Sequence, residues 1–283
     1  MATRIEQSAN WHMTKTIRCF DELIDAAPEI EDSLYKNHLV VIKGLEGLTT
    51  SQHVAFGKQY GSLEVPLPNT VTHPTEPFVE VLKRTGDEDI YSHTVESNQR
   101  PAVRKPSSFY WHADRSFLQR PSLTTVTHLV TAPHQQGDTE FFNTDLAYTS
   151  LDKMEQDVLD GITGIHSYAY YHEILSGEVY SAEEIEQKKL QYPPVEHPMI
   201  QEHPVTGETV LYISPLTLSG FTDPKRGEEA SEIIHNMLNT YTEAFHSHVW
   251  NEGDIVVWDN YGVLHRGSPS RGKRELQRLT VAQ

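Results

Sequence analysis

Apolar residues recur at intervals of three and four through Phe20, Leu23, Ile24, Ala27 and Ile30. That period predicts an amphipathic helix over residues 18–37. An unbroken apolar run follows, Leu39-Val40-Val41-Ile42, with Gly44 behind it. It reads as a strand covered on both faces. Thr49-Thr50-Ser51 offers N-caps for a helix through Val54, Phe56 and Tyr60, which Gly61 stops. Pro66, Pro68, Pro74 and Pro77 make residues 62–78 a loop, and Phe78-Val79-Glu80-Val81-Leu82-Lys83 then contains a strand. Residues 84–106 are polar, with Pro101 and Pro106. They read as a connection that can close over a site, or as a solvated loop.

Further on the period shortens to two. Trp111-His112-Ala113-Asp114-Arg115-Ser116-Phe117 reads as a strand, and Thr124-Val126-His128-Val130 alternates as another. Gln136-Gly137-Asp138 is a turn into Thr139-Glu140-Phe141-Phe142. Residues 145–161 and 228–241 have helical spacing, while 168–192 are tyrosine-rich with no clean period and suggest a lid. Val210–Ile213, Phe245–Trp250, Ile255–Trp258 and Arg274–Val281 complete the strands. Many short strands with a few peripheral helices predict a mainly β fold, a two-sheet jelly roll. We expect one domain, 1–283, with lid segments at about 62–106 and 166–195.

Composition narrows the function. Lys and Arg number 23 against 40 Asp and Glu, a net charge of −17. Binding to nucleic acid or to an anionic membrane rests on Lys and Arg, so neither partner is expected. Cys19 is the single cysteine, which excludes a disulfide within the chain and fits a reducing compartment. The first residues lack the apolar run of a signal peptide, and the longest apolar runs are too short to span a bilayer. A cytoplasmic protein acting on a small molecule is expected, with a homo-oligomer left open.

The chemistry centres on His112 and Asp114. At i and i+2 of a strand they point to one side. His265, far along in Trp258-Asp259-Asn260-Tyr261-Gly262-Val263-Leu264-His265, supplies a third ligand type. Two histidines and a carboxylate with open positions suit non-haem Fe(II). In the basic tail, Arg274 and Arg278 share a strand face. A guanidinium fork matches a carboxylate, although a charge run alone also reads as a solvated edge strand. The remaining histidines, including the pair His246 and His248, read as structural or solvated. Trp258 and Asp259 read as an aromatic wall and a carboxylate that fixes the turn or a ligand histidine.

Taken in order, H-x-D, G-D-T, W-D-N-x-x-x-x-H and R-x-x-x-R resemble the taurine and 2,4-dichlorophenoxyacetate dioxygenase family. The resemblance extends from about Leu39 to Arg278. It implies a double-stranded β-helix, Fe(II), and 2-oxoglutarate and O₂ as co-substrates, with succinate and CO₂ released. His112, Asp114 and His265 would then be the iron ligands and the catalytic centre. The Thr139 hydroxyl would contact 2-oxoglutarate, and Arg274 would pair with its distal carboxylate. Arg278 would lie near the metal-bound carboxylate and, as in some members, a substrate's anionic group. The interval from His265 to Arg274 is shorter than in relatives. Gly267-Ser268-Pro269-Ser270 can absorb the difference, and Lys273 is the alternative if the register shifts by one. His73, Ser108 and Tyr110 are the other substrate-pocket candidates.

Asp114 also bears on the outcome. Halogenating relatives have a small residue there, so a carboxylate favours hydroxylation. Desaturation and isonitrile formation occur on the same fold, and the residues do not separate them. Two other classes fit the three ligands: a zinc-dependent hydrolase, and a jelly-roll binding protein without turnover. The first gives Arg274 and Thr139 no role. The second predicts ligand binding without succinate.

Overall fold

The two unbroken apolar runs lie side by side. Leu39–Lys43 pairs antiparallel with Ile255–Asp259 at the heart of a six-stranded sheet. The full order is Met13–Thr16, Leu39–Lys43, Ile255–Asp259, Thr124–Thr131, Arg274–Val281, Glu80–Arg84. This computed structural model describes residues 11–68, 70–84, 111–132, 135–176, 180–268, 270–271 and 273–283. A second sheet has three strands, Phe245–His248, Thr139–Asn143 and Val263–Gly267. The two sheets form the expected jelly roll.

Successive side chains on a strand point to opposite faces, and these strands are buried on both. Val40, Ile42, Ile255 and Val257 join the larger core beneath the helices, with Ile30, Leu34 and Phe56. Leu39, Val41, Val256 and Trp258 face the other way, toward Phe141 and Val263 of the small sheet. That inner space also receives Thr125, Thr127 and Arg278. Register sets them there, because Trp258 lies opposite Thr125, Val256 opposite Thr127, and Thr127 opposite Arg278.

The chain crosses from the large sheet to the small one at Asp259–Gly262. His38 holds this turn. It ends the helix Ala27–Asn37 in the left-handed conformation, with φ of 58°. A Cβ on Gly262 would lie 2.0 Å from His38 Nδ1, so only glycine fits there. Asp259 is fully buried. It accepts hydrogen bonds from the His38 ring at 2.8 Å, the His203 ring at 3.1 Å and the Tyr261 backbone N–H at 2.9 Å.

The other ring nitrogen of His38 meets Asp145 at 2.9 Å. Two carboxylate partners need two ring protons, so His38 is an imidazolium. Burial alone pushes its pKa down, but the two carboxylates outweigh that and raise it to about 10. The folded pKa is thus above the unfolded value of 6.5. Its stabilisation is full below that value and disappears as pH rises through about 10. His38→Gln is therefore expected to remove a few kcal/mol at pH 7. Urea melts should show the difference between the two proteins shrinking by pH 10.5.

Several boundaries differ from the sequence reading. The predicted helix over 18–37 is two helices, Phe20–Asp25 and Ala27–Asn37, the second beginning with a proline in its first turn. Residues 145–161 also divide, at Thr144–Ser150 and Lys153–Leu159. Asp152 forms a capping box with Glu155 and starts the second helix afresh. The lid region is ordered as helices, Tyr168–Ser176 and Ala182–Gln191. The strand predicted through 111–117 shrinks to one bridge at His112. A turn follows, because Arg115 adopts φ of 56°. Residues 85–106 of the other predicted lid lie outside the described residues.

Candidate metal centre

His112 and His265 are joined backbone to backbone. Each N–H donates to the other's carbonyl, at 3.1 and 2.9 Å. This places the imidazoles beside each other, with ring centroids 4.1 Å apart. The turn after His112 brings Asp114 back toward them. Its Oδ1 lies 4.0 Å from His112 Nε2 and 3.7 Å from His265 Nε2. One ligand atom from each residue lies within 4.8 Å of the others, the single such cluster among the described residues. Two imidazole nitrogens and a carboxylate oxygen fit an Fe(II) ion and leave further coordination positions for small ligands.

Asp114 is fixed in both orientation and charge. Asn260 Nδ2 donates to Thr125 Oγ1 at 2.9 Å, so the Thr125 proton is directed to Asp114 Oδ2, at 2.7 Å. Asn260 Oδ1 accepts from the Asp114 backbone N–H at 3.1 Å and from Trp258 Nε1 at 3.2 Å. Oδ1, which faces both imidazole nitrogens and also accepts from Arg278, is the oxygen offered to an ion. Burial pushes the Asp114 carboxyl up. The Arg278 guanidinium, then His265, His112 and the Thr125 hydroxyl, outweigh it and hold the carboxyl well below the usual range. Burial, and then His112, keep His265 neutral, as a metal ligand must be. Thr125→Val keeps the shape and removes the bond to Oδ2. A Mn(II) titration of the purified variant is expected to show affinity about 10- to 100-fold lower, with little change in unfolding temperature.

The basic tail is internal rather than a solvated edge. Arg278 Nη1 donates to Asp114 Oδ1 at 3.0 Å. Arg274, on the same strand face, is buried, and its Nη1 donates to the Gly137 carbonyl at 2.5 Å. Gly137 begins the turn into Thr139, so this contact brings Arg274 beside the G-D-T segment. The Thr139 hydroxyl accepts from Trp250 Nε1 at 2.9 Å, which leaves its own proton to donate elsewhere. Thr139 and His265 share a face through Phe141, which lies opposite His265. Lys273, the alternative to Arg274, is exposed.

The other sequence candidates fare differently. The His73 ring accepts from Thr75 within its own turn and joins none of the three ligands. Ser108 and Tyr110 lie outside the described residues. The lid segment packs on Phe117, three residues past Asp114, whose ring is 4.7 Å from Tyr168 and 5.4 Å from Tyr192 at the end of the second helix. Trp258 is the expected wall, 4.7 Å from the His265 ring. The sequence reading missed Thr125, Asn260, Trp250 and Glu80. Asn260 had a signal in its place next to Asp259. The others become visible only once strands are in register.

The family model described as taurine catabolism dioxygenase TauD, TfdA family matches residues 9–280. The chain is 29% identical over 258 residues to an alpha-ketoglutarate-dependent 2,4-dichlorophenoxyacetate dioxygenase of Cupriavidus pinatubonensis, covering 89% of this chain and 87% of that one. It is 25% identical over 271 residues to an alpha-ketoglutarate-dependent sulfate ester dioxygenase of Pseudomonas putida, covering 92% and 82%. Among solved structures it resembles a taurine dioxygenase from Burkholderia xenovorans, with a TM-score of 0.69 and 25% identity over 91% of this chain and 80% of that one. No helix among the described residues is long and apolar enough to cross a membrane.

Proposed function

Because this chain belongs to the TauD, TfdA family, and so is an Fe(II)- and 2-oxoglutarate-dependent dioxygenase, we propose that it hydroxylates a C–H bond of a small anionic molecule. The observation that carries this reading is the convergence of His112, Asp114 and His265, with Arg278 on the Asp114 carboxylate. Bound iron, with 2-oxoglutarate and O₂, supplies an oxidant able to break a C–H bond while 2-oxoglutarate becomes succinate and CO₂.

The chain's own residues do the rest. His112, Asp114 and His265 hold the ion on one side. Arg274 and Thr139 hold 2-oxoglutarate, the first by charge and the second by its outward hydroxyl proton. Thr125 and Asn260 keep Asp114 turned so that one oxygen faces the ion. Trp258, Phe141 and Leu276 line the inner space and keep water from it. Ser108 and Tyr110, outside the described residues, remain substrate-binding candidates by their place before His112 in the sequence. The relatives named above act on an aryloxyacetate and on sulfate esters, which supports an acidic substrate here. A zinc hydrolase on the same ligands would use neither Arg274 nor Thr139, and is not favoured.

The test is a screen of small acids with purified protein, Fe(II), 2-oxoglutarate and O₂. One acid is expected to gain a single oxygen atom while succinate forms in step. Loss of two hydrogens without oxygen gain would replace hydroxylation by desaturation. Absence of both 2-oxoglutarate binding and succinate in the iron-loaded protein would defeat the reading.

A further inference from the structure

Arg278, the cation proposed to meet a substrate's acid group, already holds one. Its Nε and Nη2 both donate to Glu80 Oε2, at 3.0 and 2.6 Å. Glu80 lies directly opposite Arg278 on the neighbouring strand, so the pairing is built into the sheet register. Both side chains are largely shielded, at 20% and 13% exposure, so the attraction is only partly screened by water.

We propose that Glu80 is a specificity-determining residue. It occupies the edge of Arg278 that takes a substrate's anionic group, and a substrate binds there by displacing it. This rests on the reading of the site given above, and on three features of the contact. First, the Nε/Nη2 edge is the one that grips an acid with two parallel bonds. Second, Glu80 fills that edge through a single oxygen. A carboxylate or sulfonate offering two oxygens makes the better fork. Third, Asp114 holds Nη1 from the other side, so Arg278 stays aimed at the centre while its partner changes. Glu80 thus keeps a buried cation paired while the site is empty of substrate, and it lowers the affinity of every acid that competes with it. Acids with weak secondary contacts are rejected.

The experiment compares wild type with Glu80→Gln, which keeps the shape and removes the charge. Calorimetry on Mn(II)-loaded protein would first measure 2-oxoglutarate binding. It would then measure propanesulfonate, butyrate and uncharged butyramide on the 2-oxoglutarate complex. Glu80→Gln is expected to bind both acids roughly tenfold tighter or more, since it replaces a charged competitor by a neutral one. Butyramide affinity should not change, and any change for 2-oxoglutarate should be smaller than for the two acids. Glu80→Ala, which removes the competitor altogether, carries the same expectation if the glutamine variant folds poorly. Unchanged or weaker acid binding in both variants overturns the proposal. So does tightening confined to 2-oxoglutarate, which would place that molecule's carboxylate, not a substrate's, on Arg278. Failure of the wild type to form succinate is a separate result and bears on the oxygenase reading alone.

Discussion

Asp114→Ala is expected to leave a folded protein that no longer couples 2-oxoglutarate to succinate. The main chain at Asp114 is held independently of its carboxylate. Its backbone N–H remains bonded to Asn260, and His112 remains bridged to His265 through main-chain groups. The loop therefore keeps its path. Arg278 loses one carboxylate but retains Glu80 at 2.6 Å, so no buried cation is left unpaired. The loss falls on the ion instead. Residues that merely orient a ligand are worth about 10- to 100-fold in metal affinity. Removing the ligand itself, the only anionic one of the three, should cost at least about 100-fold by the same scale. A Mn(II) titration measures the first effect. Succinate release under saturating iron measures the second and should fall below detection. Wild-type-like metal affinity in this variant would mean that the three side chains do not share an ion.

The three proposed ligands were readable before the fold because two of them lie in a local motif and the third follows W-D-N at a fixed interval. The large sheet was readable for a different reason. Leu39–Ile42 and Ile255–Trp258 are buried on both faces, and continuous apolar runs report that directly. Side chains that act across strands were not readable. Glu80 and Arg278 meet across 198 positions of chain, and Thr125 meets Asp114 only because a turn folds back. Register decides both, and register is a property of the sheet, not of either segment. The lid helices escaped because only Ile185 is buried on the second of them, too little apolar surface to set a period. Arg115 hid the turn after the ligands, since a left-handed arginine has no sequence signature.

Arg274→Leu is expected to raise the KM for 2-oxoglutarate by roughly 10²- to 10³-fold, the scale of removing one partner from a buried ion pair. Arg274 is the buried cation that the tail places beside Gly137 and Thr139, and the role proposed for it is to pair with the far carboxylate of 2-oxoglutarate. The turnover rate at saturating 2-oxoglutarate should fall much less, because Arg274 is not one of the three groups around the ion. Arg274→Lys should land between, since an ammonium keeps the charge and loses the planar fork. The decisive comparison is Lys273→Ala. Lys273 is exposed, and its removal should leave the KM for 2-oxoglutarate unchanged. If instead Lys273→Ala raises that KM and Arg274→Leu does not, the strand register around the cosubstrate is off by one, and the shorter interval after His265 has moved the binding cation. Direct binding of 2-oxoglutarate to the Mn(II)-loaded variants separates this from any effect on turnover, because it reads the carboxylate contact without the oxidation step.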